Sequence, residues 1–238
     1  GFDGLVIKNR ADKINVYTEA GLVSPKLYTE AGAQMARVVA ETVGAGLTGF
    51  EWAIGIPGTI GGSVRGNAGC FGSEMKDVVE SVEVFNTVES RKQNLENRIC
   101  DFFYRHSIFK ENPNLIILSA VLKLKKGDPK ESQKLIGEYS KKRVETQDIG
   151  SKCAGCIFKN VEWSRKDIHK SDLCRKFPEL KQFSDKPNIP AAFLMDQLDL
   201  KGVKIGAAVI SRRHANYFIN TGGASAEDVL MLIGLAKE

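Results

Sequence analysis

The sequence predicts an α+β protein built in two parts. Three observations carry that reading. Short β-type runs and helical patterns are mixed without strict strand–helix alternation, there is no internal repeat or low-complexity tract, and a basic amphipathic stretch, Glu131 to Glu145, stands between two groups of elements. At 238 residues the chain is longer than one typical domain and short of three. Its 42% hydrophobic, 26% charged and 8% aromatic content excludes a disordered chain, a collagen or a small disulfide scaffold. The expected division is a first domain over residues 1–125, a connecting helix over 126–150 and a smaller α+β domain over 151–238.

Taken in order, the first domain opens with two β-type runs, Leu5-Val6-Ile7 and Ile14-Asn15-Val16-Tyr17. Ala31 to Val43 places Met35, Val38, Val39, Thr42 and Val43 at helical spacing, with its start expected near Thr29 and its stop at Gly44 and Gly46. Ten glycines fall in the 29 residues from Gly44 to Gly72, so that region is expected to be loop and turn with close backbone approaches. Val78 to Thr87 alternates as a half-buried strand, and Leu115 to Leu124 reads as a fully buried one ended by Lys-Lys-Gly-Asp-Pro. The connecting helix sets Leu135, Ile136, Tyr139 and Val144 on one side. Beyond it come Cys153 to Trp163, a polar stretch from Ser164 to Asn188, a helix around Ala191 to Leu198, and strands near Gly206–Ile210 and Asn216–Asn220. The chain closes with a helix from Ser225 to Lys237, capped by Ser225 with Asp228 three positions on.

The net charge of +5, from 34 Lys and Arg against 29 Asp and Glu, suits an anionic small ligand. Dense basic clusters are missing, so no nucleic-acid partner is expected. No apolar run reaches 18 residues; the longest, Leu115 to Leu122, is interrupted by Ser119, which argues against a membrane span. Gly1 opens directly into Phe-Asp-Gly-Leu-Val-Ile, which does not read as a signal peptide. The five cysteines are odd in number and scattered, so reduced thiols and a cytoplasmic location are expected. The oligomeric state is left open, with a monomer as the working expectation.

Three segments carry chemistry. Gly55-Ile56-Pro57-Gly58-Thr59-Ile60-Gly61-Gly62-Ser63, continuing to Asn67-Ala68-Gly69, has Arg65 as the one charged side chain between residues 55 and 72. Glycines there permit successive N–H groups to point one way, as a phosphate cradle requires. The spacing matches neither a P-loop nor a Rossmann fingerprint, and composition alone supports a tight structural loop as readily as a cofactor loop. Tyr104-Arg105-His106-Ser107-Ile108-Phe109-Lys110 reads first as a solvated strand edge; an arginine beside an aromatic is also what grips a carboxylate or phosphate in a fixed plane. In Ala154-Gly155-Cys156-Ile157-Phe158-Lys159-Asn160, Gly155 allows the Cys156 thiol to approach a ligand, with a cation and an amide three and four residues on. Cys153, Cys156, His169 and Cys174 have the spacing of a zinc pattern, but Asn160 and Lys166 occupy the positions where a small finger packs apolar residues. No metal is therefore expected.

In order and spacing these segments resemble the UDP-N-acetylenolpyruvoylglucosamine reductases, the MurB family of flavoenzymes. The matching text is Gly49-Phe-Glu-Trp-Ala-Ile-Gly-Ile-Pro-Gly-Thr-Ile-Gly-Gly62, Asn67-Ala-Gly69, Tyr104-Arg105, Gly155-Cys156-Ile-Phe-Lys-Asn160, Asp196-Gln-Leu-Asp-Leu-Lys-Gly202 and His214-Ala-Asn-Tyr-Phe-Ile-Asn220, nearly the whole chain. The resemblance implies a vanillyl-alcohol-oxidase-like (PCMH-type) FAD-binding domain followed by the smaller substrate domain. It places Ile56, Pro57, Gly58, Thr59, Gly61, Gly62, Asn67, Ala68 and Gly69 against FAD, with Arg143 helping to hold a phosphate. Arg105 matches the active-site arginine and Cys156 the proton donor, which in the family is usually a serine. Tyr104, Lys159, Asn160 and His214 fall where the family contacts its substrate.

The implied reaction is the FAD-dependent, NADPH-using reduction of a UDP-sugar enolpyruvyl group in peptidoglycan synthesis. Charge developing beside a carboxylate calls for a fixed cation such as Arg105, and a thiol with a pKa of about 8.5 gives up a proton more readily than a hydroxyl. The family's glycine-rich pyrophosphate loop is expected ahead of Gly1, and its catalytic glutamate beyond the last helix. Glu238 does not match that motif, and Val161 replaces the usual proline. The chain is therefore expected to correspond to the middle and most of the end of such a reductase. A flavin- or nucleotide-holding fragment without catalysis, and a zinc-stabilised interaction domain, are the alternatives.

Overall fold

The computed structural model describes residues 3–18 and 24–238. Gly1 and Phe2 of the opening run lie outside them. The chain divides into two units, Gly1–Lys142 and Arg143–Glu238.

The first unit contains β1 (Ile14–Tyr17), β2 (Lys26–Glu30), α1 (Met35–Gly44), β3 (Leu47–Thr48), α2 (Ile60–Arg65), β4 (Gly69–Cys70), β5 (Ser73–Glu74), α3 (Met75–Val78), β6 (Val79–Asn86), β7 (Arg91–Glu96), α4 (Ile108–Glu111), β8 (Leu115–Lys123) and β9 (Lys125–Lys126), followed by the long helix α5 (Pro129–Thr146). Five strands form one antiparallel sheet in the order β1-β2-β8-β6-β7. Its inner face carries Leu27, Val82, Val84, Ala120 and Leu122, which join Met35 and Val38 of α1, Ile60 and Val64 of α2, and Phe50 in one core. The β6–β8 register slips between Glu83 and Val84, whose partners are Ser119 and Ile117. The extra residue, Leu118, keeps the apolar side chains before and after it on the core face, which is what a bulge accomplishes in a half-buried strand. Its carbonyl accepts the Ala31 amide at 2.8 Å, which ties the sheet to the turn after β2.

The second unit contains β10 (Cys153–Cys156), β11 (Val161–Glu162), α6 (Lys170–Lys176), β12 (Asn188–Ile189), α7 (Ala191–Gln197), β13 (Lys204–Ile205), β14 (Ala208–Ile210), β15 (Tyr217–Asn220) and α8 (Ala226–Leu235). A four-stranded antiparallel sheet runs β10-β15-β14-β13. Its core joins Ala208, Ile210 and Phe218 to Met195 of α7 and Leu232 of α8. A separate small cluster gathers Leu180, Phe183 and Ile189 with Trp163, Leu173 and Phe193.

Several expectations need correcting. Leu5-Val6-Ile7 is not a strand: no ladder among the described residues receives it, and its side chains are 83%, 75% and 81% exposed. A β-type run gains order only with partners to pair and pack on. The first helix starts at Met35, not near Thr29, because Thr29 is bound into β2 opposite Ala120 and the chain must first turn through Gly32, where a Cβ would lie 2.6 Å from the Ala11 carbonyl oxygen. The glycine-dense region is not all loop. Ile60–Arg65 is helical in spite of Gly61 and Gly62, because its packing on the core overrides low propensity. Leu115–Lys123 is buried on one face only, and Ile116 points outward. In α5, Ile136 and Tyr139 pack on the core, but Val144 is exposed, since five residues beyond Tyr139 it stands about 140° round the helix. The stretch from Ser164 to Asn188 is not merely polar: it folds as α6 and a 3₁₀ turn, Pro178–Phe183, around the third cluster.

The capped closing helix matches its expectation. Ser225 accepts the Asp228 amide while Asp228 accepts the Ser225 amide. Among the described residues no helix is long and apolar enough to cross a membrane.

Candidate active site

In the first unit the glycine segment is held from behind by the turn after β2. Ile60 and Gly61 donate their amides to the Ala33 and Ala31 carbonyls at 2.9 Å each, and Met35 donates to Gly58 at 3.1 Å. Contact there is so close that a Cβ on Gly61 would sit 2.9 Å from the Ala31 Cβ. On the open side, Gly58 has φ +107° and free space where a side chain would stand, and the amides of Gly58 and Thr59 make no hydrogen bond among the described residues. Unfilled space beside two unoccupied amides in a glycine loop fits an anionic diphosphate such as that of FAD. Ile56 packs half-buried against the core and Pro57 is exposed, while Thr59 caps α2, its hydroxyl facing the Gly62 amide.

The helix α2 leads directly to Asn67, Ala68 and Gly69. Asn67 is wholly buried at φ 41°. Its side-chain amide donates to Glu74 and to the Phe103 carbonyl at 3.0 and 2.9 Å, and its oxygen accepts the Lys76 amide at 3.0 Å. The Asn67 side chain is therefore an internal tie, and what Asn67, Ala68 and Gly69 offer outward is backbone. Gly69 is required by packing, since a Cβ would stand 2.6 Å from that of Glu74.

Arg105 joins this segment. It sits at φ 54° in the tight turn closed by the Phe103–His106 bridge, so it is not on a strand edge. Its guanidinium donates to the Gly69 carbonyl at 2.8 Å and the Asn67 carbonyl at 3.4 Å and lies 5.1 Å from the Tyr104 ring centroid. Ser107 fixes the far side of the turn by donating to the Arg65 carbonyl at 2.7 Å. With two of its five donors on backbone carbonyls, the guanidinium has a set plane and further N–H groups for a carboxylate.

In the second unit, Cys156 ends β10 directly opposite Tyr217 of β15, so the two side chains share one face of the sheet. Gly155, at φ 91°, supplies the kink before it. Asn216 clamps the following residues: it accepts the Phe158 amide at 2.9 Å and donates to the Phe158 carbonyl at 2.8 Å. The His214 ring packs on Tyr217, centroids 4.3 Å apart and the planes tilted by 39°. Burial holds the His214 imidazole below its ordinary pKa, a neighbouring Lys201 adds to the effect, and its own backbone hydrogen bond and Asp148 oppose it. Lys159 is exposed, whereas the Asn160 side chain accepts the Ala191 amide at 3.1 Å and so starts α7. Arg143 is nearly buried, its Nη1 3.4 Å from Gln147 Oε1. Of the zinc pattern, Cys174 packs in the third cluster and Cys153 takes the Gly155 amide at 3.3 Å.

Sequence reasoning missed Tyr217, Ser211 and Glu51. Strand register alone reveals Tyr217 as the partner of Cys156. Ser211, 1% exposed, accepts the Arg213 and His214 amides at 2.9 Å each and donates to Asp148. Glu51, 3% exposed, accepts from the Thr48 hydroxyl, the Gly49 amide and the Ser132 hydroxyl at 2.7, 2.8 and 2.5 Å.

Open amides in a glycine loop tied to an arginine turn in one unit, and in the other a thiol facing a tyrosine on which a histidine leans, are parts that a two-domain flavin-dependent oxidoreductase uses. The FAD binding domain model matches residues 1–89, and the model of the UDP-N-acetylenolpyruvoylglucosamine reductase C-terminal domain matches residues 147–238. The UDP-N-acetylenolpyruvoylglucosamine reductase of Carboxydothermus hydrogenoformans is 37% identical over 100% of this chain and 68% of its own length. That of Fervidobacterium nodosum is 40% identical over 81% of this chain and 54% of its own length. The crystal structure of the Thermus caldophilus enzyme (MurB) is similar at a TM-score of 0.71 and 32% identity, covering 88% of this chain and 67% of that one. The chain belongs to the UDP-N-acetylenolpyruvoylglucosamine reductase family. It spans between about half and two thirds of the length of these relatives.

Proposed function

We infer that this chain serves the reduction of UDP-N-acetylglucosamine enolpyruvate to UDP-N-acetylmuramate, a cytoplasmic step of peptidoglycan synthesis, using FAD and NADPH. The observation that carries this reading is the joining of Arg105 to the carbonyls of Asn67 and Gly69, which sets a carboxylate-binding cation on the segment that follows the flavin loop. Family membership supports it independently.

Gly58 and Thr59 would hold the FAD diphosphate through their open amides, with Ile56, Pro57, Gly61, Gly62 and the 67–69 backbone shaping the surface. When bound, FAD supplies the hydride that it takes from NADPH. Arg105 binds the enolpyruvyl carboxylate and stabilises the negative charge that spreads into it as the double bond accepts hydride. Cys156 delivers the proton to the neighbouring carbon, so that hydride and proton together saturate the bond. Lys159 offers a cation to the UDP-sugar, Arg143 helps to hold a phosphate of the cofactor, and Tyr104, Asn160 and His214 border the sugar. Cys156→Ser is expected to retain turnover, and Cys156→Ala to lose about 10²–10⁴-fold in kcat, the share of a general acid. Both are measured as substrate-dependent NADPH oxidation by FAD-loaded protein. Equal turnover in the two variants would remove Cys156 from the donor role.

A further inference from the structure

The segment between β14 and β15 is closed by its own backbone. Ser211 donates its amide to the Tyr217 carbonyl at 2.8 Å, and Tyr217 donates to the His214 carbonyl at 2.9 Å. At its centre the Ser211 hydroxyl accepts two amides, those of Arg213 and His214, which leaves its proton to donate to Asp148. Asp148 lies 63 residues earlier, ahead of β10, and its second oxygen is 3.9 Å from Arg213 Nε. This one hydroxyl therefore saturates the turn that carries His214, and the His214 ring leans on the residue facing Cys156. We propose that Ser211, seated on Asp148, is a positioning residue for the reductase site: it holds the His214–Tyr217 ring pair beside Cys156.

The charged and titratable groups facing His214 are Lys201 from the turn before β13, Asp148 ahead of β10, and Tyr217 beneath the ring. Because burial disfavours the protonated imidazole, the ring adds less positive charge on this side of the sheet than a solvated histidine would. Released from the turn, the imidazole gains water, takes a proton more readily and favours the thiolate.

The proposal rests on the reading of Cys156 as proton donor, but its test reads structure and protonation directly. The chain has three histidines, so the imidazole signals in a proton NMR titration are few, and His214→Gln assigns the one that matters. Cys156 is followed by its alkylation rate with iodoacetamide near neutral pH, mapped by mass spectrometry to distinguish it from the other cysteines. Ser211→Ala is expected to raise the His214 midpoint by about half a pH unit or more and to speed Cys156 alkylation about threefold, and Asp148→Ala, which also removes a carboxylate that raises the His214 value, should do both relative to Asp148→Asn. Asp148→Asn, which still offers an oxygen to the hydroxyl but no charge, should keep the alkylation rate near wild type and lower the His214 midpoint. A folded Ser211→Ala chain (by circular dichroism) with both values unchanged overturns the proposal. Should that variant fail to fold, Asp148→Ala behaving like Asp148→Asn in both readouts overturns it equally. Failure of the donor reading itself would appear elsewhere, as full turnover in Cys156→Ala.

Discussion

Glu51 is a carboxylate removed from water and surrounded by donors. Burial alone would raise its pKa, but hydrogen bonds from Ser132, Thr48 and the Gly49 amide outweigh that and hold it below the ordinary 4.5. The folded-state value lies below the unfolded one, so this contribution to stability is complete above pH 4.5 and is lost as pH falls through the lowered value. Glu51→Gln keeps the shape but turns an acceptor of three hydrogen bonds into a group that also donates. In urea titrations it should cost about 1–3 kcal/mol at neutral pH, and the gap to wild type should narrow below about pH 4. A gap independent of pH would show that the charge has no part in it. Nothing in the sequence reveals this arrangement, because Ser132 is 81 residues away. From its neighbours alone Arg105 reads first as part of a solvated strand edge, and its seat on the Asn67 and Gly69 carbonyls was not legible. Its φ of 54° belongs to a tight turn closed by the local Phe103–His106 bridge and held by Ser107 on the distant Arg65 carbonyl.

Elements differ in the same way. Val79–Asn86 and the Ser225-capped α8 were readable because their signals, alternation and a capping pair, lie within the element itself. The start of α1 and the whole of α2 were not, since both depend on strand pairing and packing from elsewhere in the chain. The two glycines of α2 separate these influences. Gly61 has no unusual φ, so Gly61→Ala is opposed by contact alone: its Cβ would meet the Ala31 Cβ at 2.9 Å and the Ala31 oxygen at 3.1 Å. At Gly62 the nearest atom to a new Cβ is Thr59 Oγ1 at 3.8 Å, ordinary contact. Gly61→Ala should therefore destabilise by about 1–3 kcal/mol, and Gly62→Ala should be neutral or stabilising by up to about 1 kcal/mol. Thermal melts of the two variants decide it. Equal losses in both would mean that helix α2 is limited by something other than its contact with the β2 turn.

At the scale of the whole chain, the sequence made two parts legible through the order of its elements, and its charge of +5 suits an anionic ligand. It did not reveal that the apolar residues sort into cores that share no member. Leu27 through Leu124, with Ile136 and Tyr139, belong to the first unit; the clusters around Leu232 and around Leu180 belong to the second. Each unit also holds one of the two tryptophans, Trp52 donating to the Gly49 carbonyl and Trp163 to the Phe183 carbonyl. Cores confined to one unit or the other predict two cooperative units, because a cavity in one removes packing from residues of that unit. Leu232 is wholly buried, so Leu232→Ala should cost the second unit about 2–5 kcal/mol. In a Trp52→Phe background, where fluorescence reports Trp163, that change should lower the urea midpoint. In a Trp163→Phe background the Trp52 signal should unfold where it did before. Midpoints that fall together would show one cooperative transition instead, and the units could not then be treated as folding separately.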